Sequence, residues 1–163
     1  MTGALRLVAW GLVVAAAAGA LLVTVGVYVV HVDEPVDALP ESIGSVLSLT
    51  RHNAVVALWP LALVALEWPR IPAARTVGDA LAAGQVLLHG AILGSALAQQ
   101  PDLWRFLPHL PFELGALALP VAAWITARRA TTRTSTGLAL TAATVVALVI
   151  IGAVVETYLV PLG

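Results

Sequence analysis

Five long apolar segments constrain the fold of this chain more than any other feature of its sequence. They cover about residues 5–30, 52–68, 77–98, 110–127 and 136–160. An α-helix needs roughly 20 apolar residues to cross a bilayer, and each segment comes near that length. Only 10% of the residues are charged, whereas a soluble domain carries about 25%. The sequence therefore predicts an all-α protein: one domain, a polytopic bundle of about five transmembrane helices in a lipid bilayer.

Charges between the segments predict the orientation of the bundle. Six arginines lie at one end: Arg6, Arg70, Arg75, Arg128, Arg129 and Arg133. The other end has two arginines beside five acidic residues: Asp33, Glu34, Asp37, Glu41 and Asp102. Because cytoplasmic loops carry the excess of basic residues, we expect the N-terminus in the cytoplasm and the C-terminus outside. The basic residues are all arginine, as a GC-rich genome would favour, and we expect a multi-pass protein of a bacterial or archaeal cytoplasmic membrane.

The longest predicted loop, residues 31–51, lies on the outer side in this orientation. Within it, Ile43, Val46, Leu47 and Leu49 fall partly on one side of a helix over residues 40–49. Such a segment could lie on the membrane surface as a short interfacial helix. The alternative is an ordered extracellular loop.

Composition and motifs exclude several classes of function. The chain has no cysteine, which excludes disulfides, thiolate metal sites and thiol nucleophiles. Its net charge is −1 and it has no basic patch, so we expect no nucleic-acid partner. A phosphate-binding loop, a nucleotide fingerprint and a Ser-His-Asp arrangement are also missing from the sequence.

Ionisable residues gather near the outer ends of the predicted helices. His109 and Glu113 are four residues apart, so they share one face of a helix that begins here. With the predicted topology, other polar residues reach the same depth, and we expect a cluster of Arg51, His52, Asn53, His89, His109, Glu113 and Glu156. Such groups within a membrane are expensive and are usually functional.

The cluster has three readings that the sequence leaves open. It could be a buried hydrogen-bond network that holds helices together, or a binding site or proton relay. It could also hold a divalent metal such as zinc, with His52, His89, His109 and Glu113 as the candidate ligands. In a metal-dependent hydrolase, Glu113 or Glu156 would be the catalytic base.

Several motifs resemble the stage II sporulation protein M family, over roughly Arg51 to the C-terminus. Asn53 opens a span, residues 88–94 form a glycine-containing stretch with His89, and residues 155–161 combine Glu156 with an aromatic residue and a proline. The element Pro-His-x-x-x-Glu at 108–113 opens another span. In spore formers, members of this family act with peptidoglycan-degrading partners, so the resemblance implies a role in envelope or cell-wall remodelling with an extracytoplasmic partner.

We therefore expect a non-enzymatic membrane scaffold or assembly component with an outward-facing polar pocket. The alternatives are an intramembrane metal-dependent hydrolase and a small transporter, or proton- or cation-conducting oligomer, that uses the same groups.

Small residues and prolines within the spans predict how the helices pack. Gly90 and Gly94 permit close helix approach, within the chain or at the seam of a homo-oligomer. Pro60 and Pro120 should kink their helices and free a carbonyl for another helix. Trp124 lies near a predicted boundary and fits an aromatic belt.

Overall fold

The protein folds as a bundle of five long α-helices. The computed structural model describes residues 1–27, 42–106, 108–129 and 135–159. The long helices are α1 (Thr2–Thr24), α2 (Ile43–Ala65), α3 (Pro72–Gln99), α4 (Leu110–Arg129) and α5 (Ser135–Leu159). Short 3₁₀ segments at Trp68–Arg70 and Pro101–Phe106 flank α3, and the described residues contain no strand. Each long helix has the length and apolar composition to cross a membrane, which confirms the all-α prediction of five spans.

Large apolar side chains cover the outside of the bundle. Val14 is 62% exposed, Val55 is 70% exposed and Leu140 is 67% exposed, on α1, α2 and α5 respectively. Contiguous apolar surface of this extent is rare on monomeric soluble proteins. The exposed surface is therefore consistent with a multi-pass membrane protein surrounded by lipid.

Helix α2 begins earlier than predicted. It starts at Ile43 rather than near His52, and the Ser42 hydroxyl accepts a hydrogen bond from the Ser45 N–H at 3.1 Å. Serine is a favoured N-cap because it satisfies one of the free N–H groups of the first turn. Residues 43–49, expected in a separate interfacial helix over 40–49, thus form the first turns of α2. Residues 31–41 of the predicted outer loop lie outside the described residues.

Helix α4 is the central helix and contacts the other four. Around it the helices form two groups, because α1 packs mainly on α3 whereas α2 and α5 pack on each other and on α4. Two apolar clusters of buried residues fill the bundle: Trp124 and Val121 join α4 to α1 and α3, and Val145 and Ala116 join α5 to α4. Side chains of α4 can therefore reach both α2 and α5.

The glycines of α3 bring α1 into close contact. A Cβ atom at Gly94 would overlap the backbone of Ala16, and one at Gly90 would lie 2.6 Å from the Cβ of Ala15. Only glycine permits so close an approach at these positions. The structure thus uses this motif for packing within the chain, which was one of the two expected uses.

Pro60 frees a backbone carbonyl that α3 uses. Proline has no N–H, so the carbonyl of Val56, four residues earlier, loses its usual partner within α2. The side chain of Gln85 on α3 donates a hydrogen bond to this oxygen at 3.0 Å. The sequence predicted that a proline in this span would free a carbonyl for another helix, and α3 makes this contact.

Candidate functional site

The start of α4 carries the first two residues of the site. The backbone carbonyl of His109 accepts from the N–H groups of Phe112 at 3.0 Å and Glu113 at 3.3 Å, so His109 lies at the entry to the helix. This turn brings His109 Nε2 to 3.9 Å from Glu113 Oε2. The His109 side chain is only 11% exposed and that of Glu113 is 30% exposed. The predicted i, i+4 pair is therefore present and largely shielded.

Helices α2 and α5 each contribute a side chain to this pair. Asn53 on α2 donates a hydrogen bond through Nδ2 to Glu113 Oε1 at 2.7 Å. On α5, one carboxylate oxygen of Glu156 lies within 4.8 Å of a ligand atom from both His109 and Glu113. We call Asn53, His109, Glu113 and Glu156 the polar junction, because its members join three helices.

Gly152 on α5 faces the start of α4 beside the junction. It lies one turn before Glu156, and a Cβ atom there would be 3.5 Å from Glu113 Cγ and 3.9 Å from the His109 carbonyl oxygen. Both distances are ordinary van der Waals separations, so an alanine would also fit here and the approach of α5 to α4 does not depend on this glycine.

His89 lies beside the polar junction rather than within it. Its Nδ1 is 2.8 Å from the carbonyl oxygen of Gln85, and because a carbonyl only accepts, Nδ1 carries a proton and donates it to this bond. The ring lines a cavity of about 70 Å³ together with Asn53, Glu113 and Val149. A cavity of that size, with three polar side chains in a mostly apolar wall, has room for a few water molecules and no larger substrate.

Arg51 and His52 do not join the cluster. Both are exposed and line a separate hollow with Ser48 and Val55 on α2. Successive residues of an α-helix point about 100° apart, so His52 and Asn53 cannot share a face. The candidate metal set of His52, His89, His109 and Glu113 is thus not brought together; within the described residues the group is His109, Glu113 and Glu156.

One atom of the junction and one of the residue next to it in the chain are buried polar atoms with no hydrogen-bond partner among the residues that the structure describes. They are His109 Nδ1 and Thr157 Oγ1. Thr157 follows Glu156 directly on α5 and is buried. Sequence reasoning missed it, because threonine is ordinary within a transmembrane span and nothing marks it as facing the bundle.

The junction has the types of side chain that bind a divalent metal, but their ligand atoms lie farther apart than in a metal-bound site. One imidazole and two carboxylates can hold a divalent cation and leave a coordination position open. Ligand atoms around tetrahedral zinc lie about 3.4 Å apart, given bonds of about 2.1 Å. The three candidate atoms lie within 4.8 Å of one another, so the side chains fit a cation after a modest closure. The same atoms equally serve as hydrogen-bond partners between helices.

Comparisons of the chain with models of protein families, with curated proteins and with solved structures found no match. Five apolar helices and an internal group of ionisable side chains define a class, a multi-pass membrane protein with a polar junction between helices.

Proposed function

We propose that this protein is a non-enzymatic membrane scaffold whose polar junction holds α2, α4 and α5 together near the outer face of the membrane. The distribution of arginines supports the orientation, with the N-terminus in the cytoplasm and the C-terminus outside. Residues 108–113 and 155–161 resemble the stage II sporulation protein M family. This resemblance supports a role in envelope or cell-wall remodelling with an extracytoplasmic partner.

The single observation that carries the scaffold is the engagement of the Glu113 carboxylate. One oxygen accepts the Asn53 amide at 2.7 Å, and the other faces the His109 imidazole at 3.9 Å. A carboxylate that serves as a general base needs an oxygen within reach of the proton it removes. Here one oxygen is already held by α2 and the other faces His109 at the start of the same helix, and the Asn53 contact is of the kind that joins helices within a membrane.

The limited space beside the junction also supports a structural role. The cavity of about 70 Å³ next to Glu113 admits water but excludes a peptide, a sugar or a lipid headgroup. A second cavity, of about 250 Å³ between α3 and α4, also reaches His89 and Glu113. Its remaining lining is apolar, with Ile92, Leu93 and Leu114 among the residues. The first cavity is too small for a hydrolysable substrate, and the second has few of the convergent polar groups that would orient one.

One experiment separates the scaffold from a metal enzyme. The protein is purified in detergent without added metal, its metal content is measured, and its thermal unfolding is followed with and without a chelator. The scaffold predicts no stoichiometric metal and an unfolding temperature that the chelator leaves unchanged. It also predicts that Glu113→Leu lowers the unfolding temperature, because Asn53 and His109 lose their shared partner. His52→Ala is the matched control and should leave it unchanged, because His52 lies outside the junction.

A metal-dependent hydrolase is the second candidate, and the group His109, Glu113 and Glu156 is the observation that favours it. On this alternative the purified protein holds about one zinc per chain, and His109→Ala and Glu156→Gln each remove the metal. Stoichiometric metal that is lost in both variants, with the fold retained, would refute the scaffold and establish a metal centre. A transporter instead predicts proteoliposome flux that Glu113→Gln abolishes without unfolding the protein.

A further inference from the structure

A large cavity lies at the arginine-rich end of the bundle, away from the polar junction. It has a volume of about 430 Å³ and is lined by α1, α3 and α4. Most of its wall is apolar and includes Leu7, Val86, Leu87 and Ile125. Leu7 and Leu87 are 57% and 56% exposed, so the cavity opens at the side of the bundle, where lipid would surround it.

Three charged side chains lie at one end of this apolar wall. Asp79 Oδ1 accepts a hydrogen bond from the Trp124 indole N–H at 2.9 Å and lies 3.0 Å from Arg128 Nη1. The next residue, Arg129, also lines the cavity and has no charged or hydrogen-bonded partner among the described residues. Two guanidinium groups against one carboxylate leave an excess of one positive charge at this end.

The contacts of Asp79 determine which charge the cavity presents. Its Oδ1 already receives both an indole N–H and a guanidinium, so the carboxylate is compensated and does not repel an anion. Trp124 is only 1% exposed and packs against Gly78, where any side chain would overlap its ring. The ring therefore holds Asp79 in place, and Arg129 remains as the uncompensated cation.

We propose that this cavity binds a phospholipid with an anionic headgroup, with an acyl chain along the apolar wall and the phosphate on Arg129 and the free edge of Arg128. A guanidinium group binds phosphate through two parallel N–H donors, which gives the contact both strength and direction. Basic pockets between transmembrane helices on the cytoplasmic side bind anionic lipid headgroups by the same electrostatics. The apolar wall and the sideways opening assign the phosphate to a lipid rather than to a soluble ion.

The test is competitive lipid binding followed by native mass spectrometry of the full chain in detergent. Equal amounts of phosphatidylglycerol and phosphatidylcholine are offered, and a parallel sample adds inorganic phosphate as competitor. We expect a preference for phosphatidylglycerol that Arg129→Gln reduces by about fivefold, the effect of one arginine near an anionic lipid surface. Ala83→Phe, which fills the cavity from α3, should reduce the binding of both lipids.

Arg70→Gln is the matched control for charge. Arg70 lies at the same end of the bundle but pairs with Glu67 at 2.8 Å and does not line the cavity. Circular dichroism of each variant must match that of the unmodified protein. Equal binding of the two lipids, an Arg129→Gln protein with unchanged preference, or an equal loss in Arg70→Gln would overturn the proposal. Complete competition by inorganic phosphate would also overturn it, because it would indicate a site for the free ion.

Discussion

The contact between Gln85 and the carbonyl freed by Pro60 yields a sharp energetic prediction. Gln85→Leu removes the donor that satisfies the Val56 carbonyl at 3.0 Å. Interhelical hydrogen bonds within a membrane stabilise proteins by about 0.6 kcal/mol on average and about 1.7 kcal/mol at most. If Pro60→Ala is made first, the restored backbone N–H at position 60 can satisfy this carbonyl within α2. Gln85→Leu should then cost less than it does in the unmodified protein.

The two substitutions therefore form a double-mutant cycle with a predicted coupling of about 0.5–1.5 kcal/mol in the free energy of unfolding. Gln85 Oε1 is buried without a partner among the described residues. Loss of this atom contributes equally to the effect of Gln85→Leu with and without Pro60→Ala, so it cancels in the coupling free energy. Reversible unfolding in mixed micelles, followed by circular dichroism, gives the four free energies.

Pro120 supplies the matched control for this cycle. It is also a buried proline within a long helix, but it lies in α4, and Gln85 has no hydrogen bond to the carbonyl of Ala116 that this proline frees. The cycle of Gln85→Leu with Pro120→Ala should show a coupling near zero. A coupling with Pro60 no larger than that with Pro120 would refute the reasoning that the freed carbonyl holds α3 against α2.

Two further predictions concern helix packing and orientation. Gly94→Ala should destabilise the protein by about 1–3 kcal/mol, because its Cβ atom would overlap the backbone of α1. In contrast, Gly84→Ala on the same helix meets no atom within 4 Å and should stabilise it by about 0.5–1 kcal/mol; equal effects in denaturation would contradict the close approach. Because the chain has no cysteine, single cysteines report orientation without background. A membrane-impermeant maleimide should label Gln100→Cys but not Ala73→Cys in intact cells. The reverse labelling pattern would show that the N-terminus faces outward and would contradict the predicted orientation.

The sequence predicted the five helices because apolar length is a property of each segment alone. It did not predict the start of α2, because Arg51, His52 and Asn53 suggested a membrane boundary there. Polar residues need not end a helix. The Ser42 cap begins α2 about two turns before the polar residues Arg51, His52 and Asn53. Helix α2 therefore continues through Arg51, His52 and Asn53 without a break.

The sequence also predicted that polar residues of separate helices would converge, but not which of them would do so. The junction contains Asn53, His109, Glu113 and Glu156, whereas His52 points away from it. The direction in which a side chain points depends on the rotation of its helix about its axis, which the sequence does not give. Trp124, expected in an aromatic belt, is buried and donates to Asp79. Its partner lies 45 residues away in the sequence, and no local pattern reveals such a pairing.

The coupling free energy between Asn53 and Glu113 tests the central claim most directly, namely that the polar junction holds α2 to α4. Unfolding of Asn53→Ala, Glu113→Ala and the double variant would be measured in the presence of a chelator, so that no bound metal contributes. A hydrogen bond of 2.7 Å that joins these helices predicts a favourable coupling of about 0.6–1.7 kcal/mol. A coupling of zero, with both single variants as stable as the unmodified protein, would contradict the account.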